Sequence, residues 1–145
     1  MIDVLNINWK CIQTWKKSSV NTLWCLVGCS IGDLGTILYF QVNNIDFPVL
    51  LIMSLAIVNG LITSILLETL ILSFQMNFSL AFKTALGMSF ISMISMEIAM
   101  NLTDFFHTGG AYISLDLLPI ILFVGFITPL PYNYWRLKVL NQSCH

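Results

Sequence analysis

The amino-acid sequence predicts an all-α fold: an integral membrane bundle of four transmembrane helices, N-in/C-in, with a short amphipathic N-terminal segment. Three observations carry this prediction. Of the 145 residues, 57% are hydrophobic and only 9% are charged, whereas a soluble domain carries about 25% charged residues. Four windows are each long and apolar enough to cross a bilayer, which takes about 20 residues when the backbone must satisfy itself within a helix. All six basic residues fall on one side of the resulting four-span layout.

The first element, residues 1–20, reads as an interfacial lead-in. Lys10, Lys16 and Lys17 are interleaved with Trp9, Ile12 and Trp15, so tryptophans sit at headgroup level and lysines on the wet side. A cleavable signal would instead place an apolar core directly behind a positive start. Four spans then make one membrane domain over residues 21–138, at about 21–42, 48–74, 82–105 and 115–135, followed by a cytoplasmic tail at 139–145. The links between spans are short and polar, and Pro48 suits the first turn of the second helix. Span four closes on Pro129-Leu130-Pro131-Tyr132-Asn133-Tyr134-Trp135-Arg136. Its prolines predict a kink with freed carbonyls, and its aromatic residues predict an interfacial anchor.

Orientation follows from the basic residues. Lys10, Lys16 and Lys17 precede span one, Lys83 opens span three, and Arg136 and Lys138 follow span four. The positive-inside rule therefore places both termini in the cytoplasm. A net charge of −1 argues against a nucleic-acid partner, which needs a basic patch. No phosphate-binding glycine loop, hydrolase triad or His-rich zinc centre is present. With no soluble domain, there is little room for catalysis by the chain alone.

Polar residues inside the spans mark the functional candidates. An acid near the bilayer centre costs about 2.5–3.5 kcal/mol, so it faces protein or water. Asp33 sits about 18 Å into span one at 1.5 Å per residue, close to the midplane. Cys25, Cys29 and Asp33 are spaced by four and share one helical face. Their proximity to the reducing face and their parallel Cβ vectors suit thiols or metal ligands better than a disulfide. Gly28, Gly32 and Gly35 thin the same helix for close packing. In span three, Met93, Glu97, Met100, Asp104 and His107 also recur on one face.

Thiolate, thioether and carboxylate together suit a soft cation, Cu(I) or another soft transition metal. The expected metal ligands are Cys25, Cys29, Asp33, Met93, Glu97 and Met100, with Asp104 and His107 as entry ligands. This ladder requires spans one and three to face each other. Blander readings stand beside it: methionines fill gaps between helices, and Ser92, Ser95 or Asn101 satisfies a protonated Glu97. Glu68, near the inner end of span two, is expected to snorkel or to pair with Lys83. Cys11 and Cys144 read as incidental, and the Cys144-His145 ending as a weak metal site at best.

Two segments resemble a known family. Cys25-x3-Cys29-x2-Gly32-Asp33 in the first helix, Glu97 in the third, and Pro131-x-Asn133-x-Trp135 closing the fourth are similar to the pattern of small bacterial four-helix membrane proteins catalogued as a domain of unknown function. The resemblance spans most of the chain, although only its first motif is specific. It implies the four-helix fold, a bacterial inner membrane and a role for the Cys/Asp stripe, and it brings no activity with it. Many members carry a His just before the first Cys; Trp24 stands there in this chain, which weighs against a Cys/His metal site.

Three functions compete. The first is binding or movement of a soft metal ion, copper above all, through the intramembrane stripe. The second is a structural or assembly subunit of a larger membrane complex, or a homo-oligomer whose contacts bury the acids. The third is a thiol-redox or proton-coupled carrier, disfavoured because redox pairs usually have closer Cys-x-x-Cys spacing.

Overall fold

A computed structural model of the chain describes residues 9–74 and 76–139. It is all-helical there, with five helices in the order α1 (Ile12–Val42), α2 (Val49–Ser73), α3 (Phe78–Thr108), α4 (Leu118–Ile127) and α5 (Leu130–Val139). Among the described residues, α1, α2 and the combined Leu118–Val139 stretch are each long and apolar enough to span a membrane. A fourth span is added if α3, which is bent, counts as one crossing.

The boundaries differ from expectation at two places. The lead-in over residues 1–20 is not a separate element where it is described, because α1 begins at Ile12 and runs unbroken for 31 residues. At 1.5 Å per residue this is about 46 Å, well beyond the hydrocarbon thickness of about 30 Å. The turns bearing Lys16 and Lys17 are therefore an extension of the span itself. Span four, in turn, is two helices. α4 ends at Ile127 and α5 starts at Leu130, because Pro129 and Pro131 each lack the N–H that a continuous helix needs. The Leu130 carbonyl, at the start of α5, accepts a hydrogen bond from the Ser18 hydroxyl of α1 at 3.4 Å. The tail at 140–145, including Cys144 and His145, lies outside the described residues.

Small residues decide how the helices approach. α1 packs most extensively on α2, and α2 next on α3. A Cβ on Gly28 would come within 2.6 Å of the Ser64 Cα, so only glycine allows the two backbones to meet there. Thr63 uses the same close approach to donate its hydroxyl to the Gly28 carbonyl at 2.7 Å. α5 returns to α1 through polar contacts: Asn133 donates to the Thr22 hydroxyl at 2.7 Å, and Thr22 donates to the Ser18 carbonyl at 2.8 Å.

Tyr134 is fully buried and is not at an interface with lipid. Its ring stacks on Trp9 at 5.0 Å and tilts against Trp15 at 4.3 Å. The anchor expected from Tyr132, Tyr134 and Trp135 is thus partly an internal clamp joining α5 to the start of α1.

At the opposite end, Gln41 of α1 accepts from the Ile113 N–H at 3.0 Å and donates to its carbonyl at 3.4 Å. That pair fastens α1 to the α3–α4 connection. Gly109 ends α3 in the left-handed conformation, φ 72°, as helix C-termini commonly require. Large apolar side chains such as Ile31, Leu50, Leu66 and Phe123 remain exposed along the helices, as expected of a surface solvated by acyl chains.

Candidate intramembrane thiol and acid site

The Cys25–Cys29–Asp33 stripe of α1 points inward along its whole length, with Cys29 and Asp33 at 0% and 1% exposure. From α3, Met93, Met96, Glu97 and Met100 are each at 0%. Cys25, Cys29, Met93, Met96 and Met100 belong to one apolar cluster that also includes Leu26, Leu117 and Ile121. The six residues expected as metal ligands are therefore all buried inside the bundle.

Spans one and three do meet. The Asn101 amide of α3 donates to Asp33 Oδ1 of α1 at 3.0 Å. Its second N–H goes to the Glu97 carbonyl, also at 3.0 Å, which fixes the amide's orientation. The partner of Asn101 is thus Asp33, and not Glu97 as the blander reading of the sequence supposed. Ser95 donates to the Ser92 carbonyl at 2.9 Å, so it does not serve Glu97 either.

Glu97 occupies an unusual position. Both of its carboxyl oxygens are buried without a hydrogen-bond partner, as are Asp33 Oδ2 and Asn101 Oδ1. The Glu97 carboxyl rests directly against Gly60 of α2, where any Cβ would overlap Oε1. The Cys29 thiol lies beside it, and Asp33 and Cys25 are near enough to interact with it electrostatically. A buried polar group without a partner costs free energy comparable to a lost hydrogen bond or more, and an unpaired buried charge costs far more. Three unpartnered carboxyl oxygens from two helices are therefore available to a proton or another cation.

The thiols are free. Cys25 lies 3.5 Å from the Ser64 hydroxyl, and Ser64 donates to the Cys25 carbonyl at 3.2 Å. Gly125 of α4 backs the site: a Cβ there would fall 2.6 Å from Met100 Cγ. This glycine fixes where the Met100 thioether can sit.

The outer part of the ladder is differently occupied. Asp104 Oδ2 accepts from the Tyr112 N–H at 3.2 Å, and Oδ1 lies 3.4 Å from the Thr108 hydroxyl that donates to it. Asp104 thus organises the α3–α4 connection. His107 is exposed, its Nδ1 2.9 Å from the Thr103 carbonyl. Glu68 accepts from the Ser89 hydroxyl at 2.6 Å and faces a cavity shared with Arg136; its partner is not Lys83. Among the described residues, no group of three or more His, Cys, Asp and Glu side chains stands close enough to hold a metal ion.

With this geometry in view, the family comparison is decisive. A family model described as domain of unknown function, DUF4396, matches residues 14–141. The chain belongs to that family. The match takes in α1 from Thr14 onward and all of α2 to α5, so the DUF4396 unit includes both the inward stripe of α1 and the acid of α3. No curated protein and no solved structure is similar enough to match this DUF4396 chain.

Sequence reasoning passed over Gly60, Met96 and Gly125, each of which shapes the site. Gly60 carried a usable signal: a residue without a side chain, midway along a span, leaves room for something from a neighbouring helix.

Proposed function

We propose that this chain binds a soft monovalent cation, Cu(I), inside the bilayer between α1, α2 and α3, with both termini cytoplasmic, and that binding serves its movement or delivery across the membrane. The observation that carries the reading is the enclosure of unpartnered Asp33 and Glu97 oxygens with two free thiols and the buried thioethers of Met93 and Met100. Since no three His, Cys, Asp and Glu donors converge among the described residues, thioether sulfur has to complete the donor set. Cu(I) is the common ion that accepts thiolate and thioether alike. The orientation is supported by the gathering of the starts of α1 and α3 with the end of α5 at one basic end.

Elemental analysis of the detergent-purified protein tests this. Copper is expected to co-purify at about one ion per chain and to fall at least tenfold in Cys25→Ser/Cys29→Ser and in Met93→Leu/Met100→Leu. Metal-free protein that also fails to take up Cu(I) under reducing conditions overturns the reading.

A second reading, an assembly subunit of a larger membrane complex or a homo-oligomer, is favoured by one specific residue. Asn59 of α2 is exposed about midway along its span. Its amide donates to Thr36 at 2.8 Å, and its side-chain carbonyl oxygen accepts from no donor among the described residues.

A further inference from the structure

A second cavity, of about 390 Å³, opens at the basic end of the bundle, between α1, α2, α3 and α5. Its lining is more polar than a packing defect would leave. Lys17, Asn21 and Trp24 of α1 form an exposed rim, while Cys25, Glu68 and Arg136 lie deeper. Two of the deep groups are incompletely bonded. Arg136 Nε and Nη1 are buried and donate to nothing, and Glu68 Oε2 is buried and accepts from nothing. Although they face one cavity and carry opposite charges, no ion pair joins them. Each keeps hydrogen-bonding atoms without a partner, and both side chains line the same cavity.

These two unpartnered groups define a ligand. The guanidinium fork matches a phosphate oxygen pair, with the Lys17 ammonium as a second cation at the mouth. Glu68 Oε2 needs an N–H donor that carries positive charge. The rim lies at the depth where Trp and Lys meet lipid headgroups. We propose that this cavity is a binding site for a phosphate ester bearing a primary ammonium, the chemistry of a phosphoethanolamine group. The phosphate sits on Arg136 and Lys17, and the ammonium on Glu68. Such a group comes either from an ethanolamine lipid in the adjacent leaflet or from a free phosphoethanolamine in solution. A choline headgroup has no N–H to give Glu68, and a glycerol headgroup has no cation. The site therefore discriminates by headgroup.

Native mass spectrometry of the whole chain in detergent, with phosphatidylethanolamine, phosphatidylcholine or phosphatidylglycerol added at equal concentration, tests the assignment. Wild-type protein is expected to retain the ethanolamine lipid at least fivefold more than the choline lipid. Arg136→Gln is expected to lose this retention about tenfold, and Glu68→Gln to abolish the preference for ethanolamine over choline. Lys17→Gln, on the exposed rim, is expected to weaken retention severalfold; Lys83→Gln, outside the lining, leaves it unchanged. Free phosphoethanolamine that raises the thermal midpoint of the wild type, and not of Arg136→Gln, assigns the ligand to solution; no shift, with lipid retention intact, assigns it to the membrane. Equal retention of the ethanolamine and choline lipids, or Arg136→Gln and Lys17→Gln both retaining lipid like the wild type, overturns the proposal.

Discussion

At the residue scale, the contact between Glu97 and Gly60 governs the interior of the bundle. A Cβ on Gly60 has no room beside the Glu97 carboxyl, and overpacking of this kind costs about 1–3 kcal/mol. Gly60→Ala is therefore expected to lower stability by about that amount in a thermal melt of the detergent-solubilised protein. Glu97→Ala removes the obstructing side chain and leaves space of its own. In the double variant, the Gly60→Ala methyl enters part of that space, so its cost is expected to be less than the sum of the two single costs. Strict additivity would show that the two residues do not touch in solution. The chemistry at this scale was only half legible in the sequence. The i, i+4, i+8 spacing announced that Cys25, Cys29 and Asp33 share a face, and burial of that face follows from the cost of an acid in lipid. Which donor serves which acid was not legible, because it depends on the relative depth of two helices whose bonded residues, Asp33 and Asn101, lie 68 positions apart in the chain.

At the scale of elements, the break between α4 and α5 is where proline chemistry sets the architecture. The two prolines were visible in the sequence, and a bend was the natural expectation. What periodicity could not convey is that the bend redirects α5 onto α1, so that Asn133 reaches Thr22 at 2.7 Å and Tyr134 packs against both Trp9 and Trp15. Interhelical hydrogen bonds in membranes are worth about 0.6 kcal/mol on average and about 1.7 at most. Asn133→Leu and Thr22→Val are each expected to destabilise within that range. Combined, they should cost little more than Thr22→Val alone, since both remove the Asn133–Thr22 bond and only Thr22→Val also removes the bond to the Ser18 carbonyl. A double variant that loses the full sum would assign the two side chains separate roles. The unbroken run of α1 from Ile12 has a similar lesson. Lysines and tryptophans mark the edge of the membrane, but they do not mark the edge of a helix, which continues as long as its backbone bonds are satisfied.

For the whole molecule, the all-helical plan was the most legible feature, because lipid leaves a chain with so few charged residues almost no other option. The outer surface was less legible, since any apolar residue suits acyl chains equally well. Asn59 is the exception. An exposed amide about midway through a span, with an unmet acceptor, is best satisfied by a symmetric copy of itself, because a carboxamide both donates and accepts. Gly35, with nothing within 4 Å of where its Cβ would be, lies in the same groove beside Asn59 and Thr36. Crosslinking in membranes is expected to trap a dimer of the wild type and much less of Asn59→Leu. An undiminished dimer in that variant would place the contact elsewhere on the surface.

The aromatic clamp has a bearing on how the protein is made. Thr22 emerges early in synthesis, yet the amide that engages it comes 111 residues later, and the backbone of Cys11 meets the Tyr134 hydroxyl over a separation of 123. Until α5 is in place, the start of α1 therefore lacks both the amide that engages Thr22 and the ring that packs on Trp9 and Trp15, so the two ends of the described chain are closed on each other only when the last helix arrives.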